Sequence, residues 1–239
     1  MTVKTKRRIQ RGASLASTLI LLSAIMLIGS TTARLTLQGE KAARNEREFR
    51  TAFFSAEAAL LDAQEDIDGD KQGNTIFLPP NRGFFIKGCG TVADGLSHGL
   101  CALPASGAAP AWLATDLLNT NEATARTIAY GSVTGKSFAA EEGPQPAMLP
   151  RYLIELLTPE SDIPIVDGEA AQGVYRITAI GFGMRPSTHV VLQAVYQRER
   201  IPNELHESAE DPPYFYRSRR LSWREIPHWQ ELRDAIKKK

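Results

Sequence analysis

The sequence predicts an α+β fold, with one long N-terminal α-helix, transmembrane in its first half, packed by its second half against a C-terminal antiparallel β-sheet. Three observations predict it. Residues 13–33, ASLASTLILLSAIMLIGSTTA, contain no Asp, Glu, Lys or Arg. Behind them Phe49, Phe53, Ala56, Leu60, Ala63 and Ile67 recur in steps of four and three, the spacing of one apolar helix face. Towards the C-terminus, Gly173–Gly183 and Thr188–Arg198 alternate in the manner of strands, on either side of the hairpin connection Gly183-Met184-Arg185-Pro186-Ser187.

The apolar run is a spanning helix by length. At 1.5 Å per residue it extends roughly 30 Å, the hydrocarbon thickness of a bilayer. Lys4, Lys6, Arg7, Arg8 and Arg11 precede it with no acid among them, so the N-terminus stays in the cytoplasm and the remainder crosses. Three readings compete. The run is a secretory signal cut near Ser30–Ala33, an uncleaved anchor, or a prepilin-type leader, in which a short basic head ends in Gly and the apolar helix is retained. Arg11-Gly12-Ala13-Ser14-Leu15 has the third form, but so short a pattern does not choose among the three; the residues C-terminal to the apolar run must.

Composition allows one sizeable core in 239 residues that are 43% apolar. The formal net charge of +1, less the five leader cations, leaves −4 for residues 13–239, which gives no reason to expect a nucleic-acid partner. Cys89 and Cys101 lie in a segment predicted to be exported, where such a pair forms a disulfide. A bond closing so short a loop restrains the segment by roughly 2–3 kcal/mol.

Taken in order, residues 1–12 are a basic leader. The helix runs from about residue 13 to 66, with Glu40–Arg44 and Glu46–Arg50 as favourable i,i+4 pairs and Gly29 and Gly39 as weak points. Asp66–Asn74 ends it as a solvated turn; its alternating carboxylates lack the glycine and closing glutamate of a calcium loop. Residues 75–150 are turn-rich, with a short helix expected over Thr120–Arg126 and a linker over Glu141–Pro150. Strands are expected at Arg151–Leu157, Gly173–Gly183 and Thr188–Arg198, and Arg219–Arg224 reads as a fourth. On the second strand Tyr175, Ile177, Ala179 and Gly181 face one way, Arg176, Thr178, Ile180 and Phe182 the other; the amphipathic half of the helix is the expected cover for one apolar face. After Pro227, Trp229, Leu232 and Ile236 share the face of a final helix.

This order of elements resembles a type IV pilin, and more narrowly the PilX family of minor pilins. The resemblance is carried by Glu40-Lys41-Ala42-Ala43-Arg44-Asn45 and Ala52-Phe53-Phe54-Ser55-Ala56-Glu57-Ala58-Ala59-Leu60. Further matches are Gly99-Leu100-Cys101, Tyr175–Gly181, Val190-Val191-Leu192-Gln193 with Tyr196, and Leu221-Ser222-Trp223-Arg224. It implies a leader of residues 1–12, an apolar and emerging helix over 13–48 and a periplasmic head over 49–239. It also implies cleavage between Gly12 and Ala13 by prepilin peptidase, N-methylation of Ala13, and assembly with other minor pilins and major pilin. A place at or near the pilus tip, with a PilY1-like tip adhesin as partner, belongs to the same expectation. One departure stands out: the fifth mature residue, Glu in major pilins, is Ser17 here. That argues against a major pilin and for a subunit with no neighbour above it, a feature shared with the tip pseudopilin of type II secretion.

Three function classes are set against each other. A structural assembly protein works through lateral helix packing, with Ser14, Ala16, Ser17 and Gly29 as contact points. A membrane-anchored enzyme requires chemistry, and His98, His189, His206 and His228 have no ligand spacing, nor is there a Gly-x-Ser-x-Gly or His-Glu-x-x-His motif. No catalytic residue, metal or cofactor is expected. A binding head contacts a surface through Tyr214, Phe215, Tyr216, Trp223 and Trp229, residues that a sheet also uses as cover.

Overall fold

The computed structural model describes residues 13–69, 81–138, 143–158, 165–166, 169–170, 172–202 and 214–238. Helix α1 (Ala13–Asp68) runs through 56 residues and stops where Gly69, at φ 73°, returns its N–H to Glu65 O at 3.0 Å. The expected turn begins there, three residues later than Asp66, and residues 70–74 lie outside the described residues. The described residues divide into two units, one up to Arg47 and one from Glu48 on. Within the first unit the described side chains are exposed along the helix, including Leu15, Ile20, Met26 and Leu35.

The second unit is built on a six-stranded sheet in the order β1 (Leu100–Cys101), β3 (Arg151–Leu156), β6 (Gln172–Phe182), β7 (His189–Pro202) and β8 (Tyr214–Glu225), with β2 (Ile128–Ala129) also pairing with β3. A separate two-stranded ladder joins β4 (Ile165–Val166) to β5 (Glu169–Ala170). Two short helices, α2 (Ala111–Ala114) and α3 (Trp229–Lys237), pack beside the sheet. The long strands pair antiparallel, but β1 runs parallel to β3, which makes the sheet mixed. A direct hairpin would force antiparallel pairing, whereas the long connection from β1 to β3 leaves the direction free. The β6–β7 hairpin turns over residues 183–188, where Gly183 N donates to Thr188 O at 2.8 Å.

The alternation along β6 sorts the core. Tyr175, Ile177 and Ala179, with Leu192, Ala194 and Tyr196 of β7, pack on Ala52, Ala56, Ala59, Leu60, Ala63 and Ile67 of α1. Phe49 and Phe53 were expected on that buried face; Phe49 is 42% exposed and Phe53 half-buried. The reason is distance. A Cβ added to Gly181 would lie 2.2 Å from both Ala52 O and Ala56 N, so helix and strand meet backbone to backbone and leave room for alanine alone. The opposite sheet face is also covered, contrary to the single apolar face expected. Leu153, Ile180, Phe182 and Val191 lie under Trp112, Leu117, Ile226 and Trp229. That second cover comes from the turn-rich middle, where apolar residues are too sparse to show a period, and from the tail, where the period of the final helix does not say what it covers.

Two further expectations change. Residues 120–126 form turns rather than a short helix, because Asn119 Oδ1 and Asn121 Oδ1 take the N–H groups of Asn121 and Ala123 at 3.0 and 2.9 Å. The fourth strand is longer than Arg219–Arg224, starting at Tyr214 and ending at Glu225.

The Gly181 contact generates a prediction. Gly181→Ala forces helix and sheet apart and lowers the stability of the detergent-solubilised chain by about 2 kcal/mol or more, an overpacking cost. Gly39→Ala, at a helical position with nothing within 4 Å, leaves it unchanged or raises it slightly. Denaturant midpoints of the two variants check this; equal midpoints would show that the helix and strand do not meet so closely.

Candidate functional site

The anchor segment is built to hide its polar groups. Ser17 Oγ donates to Ser14 O at 2.9 Å, and Thr18, Ser23, Ser30, Thr31, Thr32 and Thr36 likewise return their hydroxyls to carbonyls three or four residues back. Hydroxyls satisfied on their own helix present no unpaired donor to an apolar surrounding. The helix is long and apolar enough to cross a membrane. At about 100° per residue, Ser14, Ser17 and Gly29 share one arc of the helix, while Ala16 points to the opposite side. All four are exposed, and nothing lies within 4 Å of a Cβ placed on Gly29. Ala13 is the first residue of α1; Gly12 lies outside the described residues.

In the second unit the helix face that meets the sheet carries acids as well as alanines. Glu48 Oε2 accepts from Arg185 N at 3.1 Å beside the β6–β7 turn. Ser55 Oγ accepts from Phe182 N at 3.0 Å. Asp62, fully buried, accepts from Gly131 N at 2.8 Å and from the Thr134 hydroxyl. Glu65 pairs with Lys136, Tyr152 OH donates to Asp66 at 3.3 Å, and Ser218 N donates to Asp68 at 2.6 Å. Asp66 and Asp68, read from sequence as a solvated turn, are therefore ties to the sheet. A signal was available: Glu48, Ser55 and Asp62 stand seven apart, a repeat that keeps them on one helix face. Burial, then the Asp66 and Asp62 carboxylates, push the Tyr152 hydroxyl well above its usual pKa, so it stays a donor to Asp66.

Cys89 and Cys101 are bonded to each other. Their loop is folded tightly on the edge of the sheet. Gly90 passes so close to Ser97 that a Cβ would lie 2.1 Å from Ser97 O, and Arg126 Nη1 holds Gly88 O at 2.5 Å. Thr91 N and Oγ1 both bond Asp94 Oδ2, which holds the Asp94 carboxyl below its usual range. His98, at the end of the loop, is half-buried; burial, then the Arg151 cation, hold its imidazole below the usual 6.5, against a weaker pull from the backbone at Ala125 and Thr127. Arg151 is itself tied to Thr127 by two bonds, 2.7 Å to Oγ1 and 2.6 Å to the carbonyl.

Glu155 is fully buried between Arg176 and the start of α2, where Ala111 N donates to its Oε1 at 2.8 Å. Burial raises its carboxyl above the usual value, and Arg176 acts against that. Shallow clefts lie among the described residues. One of about 320 Å³ is lined by His189, Glu225, His228 and Trp229, and one of about 220 Å³ by Asp116, Arg126 and Arg233. Among the described residues no group of three or more His, Cys, Asp or Glu could hold a metal ion. His206 is outside them. Of the aromatic set read as a binding surface, Trp229 is buried in the second core and Tyr216 lies against the Arg198 guanidinium at 3.9 Å. Trp223 is 40% exposed, and Tyr214 and Phe215 pair with Pro202 and Ile201 in the β7–β8 ladder.

Comparison with known families gives two matches. Residues 11–61 match the PilX N-terminal family, and residues 97–198 match the family described as type IV pilus assembly protein PilX C-term. No curated protein and no solved structure matches the chain.

The lowered His98 gives a pH dependence of definite sign. The unfolded imidazole binds a proton more readily than the folded one, so the contribution of His98 to stability is complete above about 6.5 and is lost as pH falls through the lowered folded value. His189, lowered by burial, acts in the same sense. His98→Gln is expected to flatten the fall in denaturant midpoint between pH 7 and pH 5, and His98→Gln/His189→Gln to flatten it further. An unchanged slope in the double variant removes the histidines from the acid response.

Proposed function

The chain belongs to the PilX family of type IV pilus assembly proteins, and on that premise we propose that this minor pilin primes pilus assembly at the inner membrane with other minor pilins and is incorporated at or near the pilus tip. The observation that carries the reading is that the N-terminal family match starts at Arg11 and takes in the whole apolar segment. A retained helix, not a removable signal, is what such a match supports. Prepilin peptidase then cuts between Gly12 and Ala13, Ala13 is N-methylated, and the basic leader keeps the start of the helix on the cytoplasmic side with the head in the periplasm. The Cys89–Cys101 bond suits that compartment.

Ser17 supports the place in the fibre. A carboxylate at that depth is costly in lipid without a partner. Here the hydroxyl is returned to Ser14 O and no charge asks for a neighbour's amine. A subunit with nothing stacked above it loses nothing by this. Lateral packing falls to shape, with Ser14, Ser17 and Gly29 on one arc as contact points and Ala16 on the other side. Partners in this reading are other minor pilins, major pilin, prepilin peptidase and a tip adhesin.

N-terminal mass spectrometry on isolated membranes is expected to give a mature chain that starts with methylated Ala13; a start at Met1 or beyond Thr32 overturns the processing. Deleting the gene is expected to cut the number of surface pili sharply. Normal pili with lost surface binding would turn the reading towards a binding head instead.

A further inference from the structure

We infer that the outer edge of β8 is a docking site for an extended, acidic segment of another protein, which adds to the sheet as a further strand. The inference goes beyond the pilus reading, and its test does not depend on pilus assembly. Strand β8 ends the sheet order, and its far side pairs with no strand among the described residues. It is twelve residues long, and beyond Ser218, whose N–H is taken by Asp68, it continues through Glu225. Such an edge is a template for strand addition.

Its charge selects the occupant. Arg217, Arg219, Arg220 and Arg224 stand on the strand with Glu225, and Arg219 and Arg220 each meet one acid of a neighbouring element, Glu199 of β7 at 3.4 Å and Glu57 of α1 at 4.0 Å, so the edge keeps a positive excess in a chain whose residues 13–239 carry −4 once the five leader cations are taken from the total of +1. All four arginines are exposed. A second copy of the chain is disfavoured, because the full-length antiparallel register of two β8 edges puts Arg219 opposite Arg220, and like charges opposite one another destabilise a ladder. The side chains are also sorted by face. Arg219 and Arg224 bond Gln197 and Gln193 on the face away from α1, where Arg219 also reaches Glu199, whereas Arg220 stands opposite Tyr196 on the helix face. Trp223 lies on the helix face, edge-on to Phe53 at 6.0 Å and fixed by Nε1 on Glu57 Oε1 at 2.6 Å. Phe54 is exposed beside Phe53. A strand of period two laid on this edge would turn one set of side chains to Arg217, Arg219 and Arg224 and the other to Trp223 and Phe54. The matching partner alternates acidic with apolar or aromatic residues.

The test uses the full chain in detergent micelles and a labelled twelve-residue peptide alternating Glu with Val and Tyr. Controls are the same peptide with Lys for Glu, and two peptides N-methylated in each of the two alternating sets of amides. Saturable binding of the Glu peptide is expected, with slowed amide exchange at Arg219–Glu225. The Lys peptide and the Arg217→Gln/Arg219→Gln variant, which removes both charges without setting an acid beside Glu199, each bind at least tenfold more weakly. One N-methylated peptide loses binding. The inference is overturned if both N-methylated peptides bind like the parent, if the Lys peptide binds equally, if β8 gains no protection, or if duplex DNA displaces the peptide at lower concentration than unlabelled peptide does.

Discussion

The head depends on one close contact, the alanine face of α1 laid backbone to backbone on β6 at Gly181. Ala52, Ala56, Ala59 and Ala63 are fully buried there, and a single Cβ on the strand would collide with the helix main chain. At Gly183 the same approach recurs, where a Cβ would lie 2.7 Å from Glu48 Oε2. Interiors close-packed to this degree have little tolerance for added volume. The contact therefore fixes which residues can be small, and it pushes Phe49, Phe53 and Phe54 to the rim, where Phe53 meets Phe49, Phe54 and Trp223.

From that contact the acids follow. A helix brought so near a sheet buries polar backbone at the strand ends and loop starts, and each such donor requires an acceptor. Glu48, Ser55, Asp62 and Asp68 accept from N–H groups of Arg185, Phe182, Gly131 and Ser218 in turn. These belong to the β6–β7 turn, β6, the loop after β2 and β8, segments far apart in sequence. One helix side thus gathers them all. Removing one acid from such a site leaves a buried donor without a partner, which costs about 1–3 kcal/mol.

Much of this was legible in the sequence, and the rest has identifiable reasons for being hidden. The long helix, the β6–β7 hairpin and the sorting of Tyr175, Ile177 and Ala179 from Ile180 and Phe182 follow from periodicity. The substitution of alanines for phenylalanines on the buried face does not, because periodicity registers apolar residues without weighing their size. The second core was hidden for another reason: Trp112 and Leu117 reach it from a single helical turn and an irregular segment, where no period is long enough to read, and the period that marks Trp229 on the final helix does not say which layer that helix covers. The parallel β1 escaped because two residues make no pattern, and the turns at 120–126 because asparagine side chains outcompete a helical backbone only when placed in three dimensions. Of the proposed contact points on the apolar segment, Ser14, Ser17 and Gly29 share one arc and helical geometry separates Ala16 from them.

The same helix thus serves two solvents by opposite use of polar atoms. Through residue 36 its hydroxyls turn back to their own carbonyls and offer nothing outward. From Glu48 on, its carboxylates reach outward and bind the sheet, the turn and the tail. A carboxylate moved into the first region would meet lipid unpaired, and a self-satisfied hydroxyl moved into the second would leave a buried N–H unmet. Ser17 obeys the first rule and Ser55 the second, although both are serines on one helix: the Ser17 hydroxyl donates to Ser14 O, and the Ser55 hydroxyl accepts from Phe182 N. Residue type does not decide the role; the partner within reach does.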